Sequence, residues 1–588
     1  MKKASAPRRP RGPRVQLMVI LGALVAISLS LLWLQIVRGP ELAAQGRLVR
    51  TYSVNIPAER GSIVDANGAV LAESIATYHI AVNQKHIANA RVCENPEADD
   101  EDERDCSSVG PAAAAKKLAP ILEMDPVELG GLMVGDSTYQ YLKKNVSPQV
   151  WRQVRALDIF GLEWEAASKR SYPNGSIAAP VLGTLDAEGK GVAGLEATQD
   201  EVLAGEDGEE SYEIGTTGEV IPGGREVIAN SRDGSTVHTT LRLDLQYAIE
   251  QTLNAAVERH AADWGAVVVQ EISTGKILAM ADSGNHEIDH NPQTVRAVQY
   301  AVEPGSVGKI LTVASALETG AVTPLTPITV PDEYVTEDGQ HFLDSHGHPT
   351  YVRTVTGVLA ESSNTGTVQI GQKIKDQDRY DLFRRVGLGS LTGIPLPGES
   401  AGLLATPEEW DGRQKYTTMF GQGYSVTQLQ QAGMLSVIGN GGVYQPPRLI
   451  EGWTKPDGRY EPAPPAQPVQ AISKEVSQTL LTMMESITAD SEGTGTSYAV
   501  EGYRVASKTG TAELFEGATV IGTGATIAGI IPADNPTAAI SVLLYRPRKG
   551  SYAAASAGPL FHDVALHTVH HLGIAPSAEK AKLFPTQP

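Results

Sequence analysis

The sequence predicts an α+β multidomain chain with a single N-terminal transmembrane helix, and three observations lead there. One uncharged run of 23 residues follows a basic N-terminus. Next come short strand-like runs that alternate with helical stretches. The second half then opens and closes on apolar strand-like runs with helical segments between them. At 588 residues the chain is too long for one compact core, so more than one folded unit is expected.

The run between Arg14 and Arg38 would extend about 34 Å as a helix, enough to cross the hydrocarbon core of a bilayer. It exceeds the apolar core of a cleavable secretory signal, and only a weak Leu42-Ala43-Ala44 cleavage candidate follows it, so an uncleaved anchor over residues 15–37 is expected. Six bases and no acid lie in residues 1–14, which the positive-inside rule assigns to the cytoplasm, placing the chain after the anchor outside the cell membrane. With a net charge of −20 overall, everything after that basic tail carries −26. A body this acidic argues against nucleic acid as a partner.

Residues 38–235 read as a mixed α+β unit, with a strand-like Tyr78–Val82 and helices over 111–122 and 147–157. Cys93 and Cys106, the only cysteines, enclose an acidic run. In an oxidising exterior they can close it as a disulfide, and the run itself reads as a solvated surface insertion. Residues 236–575 form the second unit: a helix from Asp244 to His260, a hairpin of Ala266–Val269 and Ile277–Ala281, and late strands Ala525–Ile531 and Ala538–Tyr545. The spacing predicts one sheet in which the first and last strands pair. Residues 576–588 are expected to fray.

Acyl transfer needs a hydroxyl nucleophile, a base and donors aimed at the oxyanion. Ser-x-x-Lys occurs at Ser273/Lys276, Ser306/Lys309 and Ser577/Lys580. The first falls in a hairpin turn and the third in the polar tail. Ser306 instead opens an apolar helix, with Val307, Ile310, Leu311, Ala314 and Leu317 at helical spacing and Gly320 at its end, so it is buried on one side. Lys309 then shares a face with Ser306, within hydrogen-bond reach. The positive helix terminus and partial desolvation both disfavour its ammonium form. Of the Ser-x-Asn matches (Ser53/Asn55, Ser283/Asn285, Ser362/Asn364), only Ser362-Ser363-Asn364 follows that helix. It lies in a loop between helical stretches, where Ser362 can relay a proton and Asn364 can fix a substrate backbone. Lys508-Thr509-Gly510 is the chain's single Lys-Thr-Gly and reads as a strand lining a pocket. There Lys508 and Thr509 can bind a carboxylate, Gly510 can admit substrate backbone, and the amides of Ser306 and Thr511 can form an oxyanion hole.

These motifs, in this order, resemble those of class B penicillin-binding proteins, the bitopic peptidoglycan D,D-transpeptidases. The resemblance runs from the anchor to about residue 572. In the pedestal, Arg60-Gly61-Ser62-Ile63-Val64-Asp65-Ala66-Asn67-Gly68 is similar to the family's RGxIxDRNG signature, with Ala66 where a base is usual. Arg170-Ser171-Tyr172-Pro173 and Gly194-Leu195-Glu196 match as well, and Gly421 to Thr427 resembles a stretch bordering the cleft. Gly308 stands where the family often has a bulky residue, which is expected to loosen the nucleophile helix. The resemblance implies a transpeptidase domain with an antiparallel sheet and helices on both sides, and a pedestal that includes a dimerisation domain. It implies no cofactor and no metal. Ser306 is expected to attack the penultimate D-alanine carbonyl of a stem peptide and pass the acyl group to an amine on a neighbouring stem, with β-lactams as inhibitors. The implied partners are a SEDS-family glycosyltransferase and other membrane proteins of the division complex, with the division-specific septal branch favoured over elongation. Alternatives on the same residues are a D,D-carboxypeptidase or β-lactamase using water, a β-lactam sensor, and a scaffold. The histidines His346, His348, His562, His567, His570 and His571 invite a zinc site, but spacing offers them no cysteine or carboxylate partner within the site segments.

Overall fold

The structure, a computed structural model, describes residues 12–42, 51–93, 108–215, 220–283, 294–516, 519–550 and 552–588. It divides into two compact units, one of residues 1–58 with 205–233 and one of 59–204 with 234–588. The expected pedestal is therefore distributed over both. In the first unit an α-helix, Gly12–Trp33, continues as a π-helical turn, Leu34–Arg38. The apolar helical stretch Val15–Leu42 is long enough to span a bilayer, and none of its most apolar window is buried in protein. The same unit holds an antiparallel sheet of Thr51–Ile56, Gly208–Ile214 and Val220–Ala229, with Gly208–Ile214 central.

In the second unit, the 13-residue strand Val70–Val82 is the spine of the pedestal and pairs with Leu162–Ser171 along its length. The sheet is completed from the far half of the chain. Thr236–Thr239 runs parallel to Ile63–Val64 and antiparallel to Ile450–Thr454, so the pedestal and the larger lobe share one hydrogen-bonded sheet. Its helices follow the sequence reading, Pro111–Leu122 and Pro148–Ala156, the latter capped by the Ser147 hydroxyl on the Val150 N–H. The three pedestal motifs meet at Glu196, whose side chain is fully buried. Arg60 Nε donates to it at 2.8 Å and Arg170 Nε at 2.7 Å, while a second Arg60 nitrogen reaches Asp200 at 2.7 Å. Cys93 is disulfide-bonded. The only other cysteine, Cys106, and the acidic run before it lie outside the described residues.

The larger lobe is built on a five-stranded antiparallel sheet. Its main elements, in chain order, are α1 (Leu243–His260), β1 (Trp264–Glu271), β2 (Ile277–Asp282), α2 (Lys309–Glu318), α3 (Val355–Glu361), α4 (Asn364–Gly371), α5 (Gln428–Gly439), α6 (Lys474–Ala489), β3 (Ala506–Glu516), β4 (Thr519–Ile531), β5 (Ala538–Tyr545) and α7 (Ala553–His571). The strand order is β2-β1-β5-β4-β3, so the first and last strands do pair, Trp264 opposite Tyr545 through Glu271 opposite Ala538. Residues 264–270 are buried on both faces of β1 because helices cover both sides of the sheet. Leu245, Ile249 and Leu253 of α1 join Phe561 and Val564 of α7 over one face. On the other, Gln431 of α5 donates to Thr526 at 2.7 Å and to Ser541 at 2.9 Å, which seats an almost wholly buried helix in register on the sheet.

Two expectations change. The α2 helix is buried on every side over Lys309–Ala316, not on one, because it runs through the centre of a core shared by α3, α4, α6 and the sheet. The tail expected to fray is bonded: Thr354, at the start of α3, donates its N–H to Thr586 O (3.1 Å) and its hydroxyl to Pro585 O (2.7 Å), and Phe584 packs on the core. Single polar anchors do this, and composition does not reveal them.

Candidate active site

Ser306 lies in a 3₁₀ turn, Gly305–Gly308, that leads directly into α2. The turn is moulded by backbone contact on two sides. Gly305 has φ +54°, and a β-carbon there would lie 2.9 Å from the Thr511 carbonyl oxygen of β3. On the other side runs the strap 421–426: Gly305 N–H donates to Gly421 O at 3.0 Å, Val302 and Val426 exchange both backbone bonds, and Gly423 N–H donates to Glu303 Oε1 at 2.7 Å. Gly308, expected to loosen this helix, is instead a packing contact. A β-carbon there would come within 2.3 Å of Tyr424 Oη and 2.6 Å of Gly421 Cα, so the missing side chain leaves room for the tyrosine. Gly308→Val is therefore expected to slow acylation of Ser306 by at least about tenfold through displacement of the turn. Rate measurements on that variant check this, and a wild-type rate would show that the strap yields freely.

Ser362 caps the C-terminus of α3 in the left-handed region, at φ 65° and ψ 33°, and Ser363 caps the N-terminus of α4 through its hydroxyl on Gly366 N–H. A left-handed non-glycine residue is a strained conformation held by its surroundings. Here Lys309 Nζ donates to both the Ser362 carbonyl oxygen and Ser362 Oγ, the latter at 3.2 Å. On β3, Lys508 Nζ reaches the same hydroxyl at 2.8 Å and Thr509 O at 3.1 Å. All three motifs thus converge on Ser362. The hydrogen bond expected between Lys309 and Ser306 is not among those formed by the described residues. Lys309 is the first residue of α2, and its amine is bonded to the Ser362 turn instead.

Asn364 does not reach freely into the cleft, since its Nδ2 donates to Leu343 O at 2.9 Å. Thr509 and Thr511 face a cleft of about 700 Å³ that Ser306, Ser362 and Asn364 also line. Gly510 points away from it. A β-carbon there would meet Pro304 O at 2.4 Å and Val307 at 3.0 Å, so its smallness admits the chain around the Gly305–Gly308 turn where substrate backbone had been expected. The oxygen Oγ1 of Thr511 accepts from Ala553 N–H at 3.4 Å, which ties β3 to the start of α7.

Both lysines are fully buried. Burial pushes the Lys309 amine down to about 7, against the opposing pull of the Asp344 carboxylate. Lys508 is pushed well below its ordinary range by burial and then by the Lys309 charge. Two ammonium groups that reach one hydroxyl repel each other, so the two lysines titrate as a coupled pair and each charge disfavours the other.

The other motif matches take no part. Lys276 pairs with Glu451, Asn55 with Asp207, and Ser577 with Asp534 and the Arg504 N–H. Asn285 lies outside the described residues. Sequence reasoning passed over Asp344, which accepts from the N–H groups of Asn364 and Thr365, from Ser363 Oγ and from His348. The signal was there: the histidine at 348 has a carboxylate four residues before it, where none had been credited. Tyr552, tilted against His346 with ring centres 5.2 Å apart on the cleft wall, had no such signal.

Residues 265–566 match the penicillin binding protein transpeptidase domain, and 55–239 match the penicillin-binding protein dimerisation domain. The chain is 33% identical to the penicillin-binding protein PbpB of Mycolicibacterium smegmatis, over 95% of this chain and 90% of that one. To the peptidoglycan D,D-transpeptidase FtsI of Escherichia coli it is 28% identical, over 95% and 91%. Among solved structures, it is similar to a peptidoglycan synthetase from Bifidobacterium adolescentis (35% identity, TM-score 0.74, 92% of this chain and 100% of that one). It is also similar to penicillin binding protein 3 of Mycobacterium tuberculosis complexed with aztreonam (29%, TM-score 0.69, 91% and 100%). Two domain matches in this order, full-length relatives and three motifs meeting at one hydroxyl agree: the chain belongs to the class B penicillin-binding proteins.

Proposed function

We propose that this chain is a serine D,D-transpeptidase that cross-links peptidoglycan stem peptides during septal wall synthesis, with Ser306 as nucleophile. The observation that carries this reading is the junction at Ser362, where two buried amines whose charged forms burial disfavours meet one hydroxyl beside the serine turn. Ser306 Oγ attacks the penultimate D-alanine carbonyl while its proton passes to the Lys309 amine. The oxyanion is received by the backbone N–H groups of Ser306 and Thr511, which the close packing of Gly305 on Thr511 supports. Collapse breaks the peptide bond, the leaving D-alanine nitrogen takes a proton relayed through Ser362, and an ester on Ser306 remains. An amine of a neighbouring stem then attacks the ester, giving up a proton as Ser306 regains its own. Thr509 on the cleft wall, with Lys508 behind it, receives the donor's carboxylate, and Asn364, tied by its Nδ2 to Leu343, offers its Oδ1 to the donor's backbone.

A β-lactam presents the same carbonyl and carboxylate and acylates the same oxygen. Relatives bearing the names FtsI and PbpB support the septal assignment. The apolar helix supports a single-pass anchor, and the basic residues before it favour a cytoplasmic N-terminus with the catalytic lobe outside. Partnership with a SEDS-family glycosyltransferase and other division proteins belongs to the same reading.

Fluorescent-penicillin labelling of the wild type, Ser306→Ala and Ser577→Ala tests it. Label is expected to disappear only in Ser306→Ala. Persistence of label in that variant would remove Ser306 from the mechanism. Release of D-alanine without cross-linked product would favour the carboxypeptidase alternative.

A further inference from the structure

The clamp on the Ser362-Ser363-Asn364 turn carries an inference of its own, which rests on the acylation of Ser306 set out above. Asp344 lies in the wall of the cleft before α3, and its side chain is 8% exposed. One of its oxygens accepts from the N–H groups of Asn364 and Thr365, the first amides of α4, where a helix N-terminus favours negative charge. The other accepts from Ser363 Oγ at 2.7 Å and from Thr365 Oγ1 at 3.3 Å, and lies 3.0 Å from His348 Nε2. His348 is bonded on its other nitrogen as well, since Nδ1 lies 2.9 Å from Pro349 O. A carbonyl oxygen and a carboxylate are both acceptors, and although burial opposes it, they raise the pKa of the ring and favour its protonated form. Tyr351 packs on that ring with centres 4.6 Å apart. The charged groups facing His348 are Asp344 and Asp332. Those facing Lys309 are Asp344 from the cleft wall and Lys508 from β3.

We propose that Asp344, anchored by His348, is a positioning residue for acyl transfer: it fixes the turn that presents Ser362 to Lys309, and its carboxylate is the negative charge set against the Lys309 amine. Neither Asp344 nor His348 bonds to the nucleophile, so both act through the turn and through the field at the base.

The test is the pH dependence of the acylation rate, read with a fluorescent penicillin on the full-length chain in detergent. Wild type, Asp344→Asn and His348→Gln are compared, with Ser306→Ala as control. Asp344→Asn removes the charge that favours the protonated amine, so the ascending limb of the profile is expected to move to lower pH by about 1 unit. Its plateau is expected to fall at least about tenfold as the turn loosens. His348→Gln keeps a donor on Asp344 but removes the ring's positive charge, so its limb is expected to move the opposite way, by less. A folded Asp344→Asn whose limb stays at the wild-type position overturns the proposal. If Asp344→Asn shows no melting transition, His348→Gln decides: a limb at higher pH supports the proposal and an unmoved one overturns it. Label surviving in Ser306→Ala would sink the nucleophile assignment instead, so the two failures are distinguishable.

Discussion

Replacing Lys309 by methionine is expected to lower the acylation rate of Ser306 by roughly 10²–10⁴-fold, the usual contribution of a positioned general base. In the wild type that rate is expected to rise with pH through about 7, because burial holds the Lys309 amine near that value and only the neutral form accepts the serine proton. The same substitution is expected to stabilise the fold. The folded-state value lies below the ordinary 10.5, so the burial penalty is present in full below about pH 7 and is relieved as pH climbs towards 10.5. The gain in melting temperature for Lys309→Met is therefore expected to be larger at pH 6 than at pH 9. Stopped-flow acylation and calorimetry at the two pH values measure both effects. A variant that acylates normally, or one destabilised at pH 6, would contradict the assignment of this amine as the base.

Glu196→Ala is expected to cost about 3–5 kcal/mol of stability, because it leaves the guanidinium groups of Arg60 and Arg170 buried without the carboxylate that both address. Glu196→Gln keeps the shape and one acceptor, and is expected to lose less. Denaturant titration of the full-length chain in detergent checks this. An unchanged midpoint for Glu196→Ala would show that Asp200 alone satisfies Arg60 and that the cluster contributes little. Acylation by penicillin is expected to survive in whatever fraction remains folded, since the cluster lies in the pedestal and touches none of the three active-site motifs.

The elements of the fold were legible wherever period and punctuation agreed. Helix 111–122 was marked by the proline at its start, 147–157 by Ser147 and Pro148, and the β1–β2 hairpin by Gly275 between two apolar runs. The pedestal's sheet was not legible, because Thr236–Thr239 pairs with a strand more than 200 residues away and no local pattern encodes such a partner. In the site, the motif residues were legible as chemistry at short spacing. Their mutual geometry was only partly so. Lys309 was read as meeting Ser306, yet the amine goes to Ser362, because the left-handed turn there offers a carbonyl that the sequence does not reveal. Gly308 and Gly510 were read for what they would free or admit. Their role depends on which backbone stands opposite, Gly421 and Tyr424 for one and Pro304 for the other.

Those glycines limit how the protein can change over time. Around the Ser306 turn main chains approach one another closely, and a β-carbon at 305, 308, 421 or 510 would fall within 3 Å of a neighbouring backbone or of the Tyr424 side chain. The heart of the enzyme is closed to gradual variation. On the wall of the groove around His346, Glu513 and Tyr552, by contrast, side chains border open space, and a change there need not move a main chain.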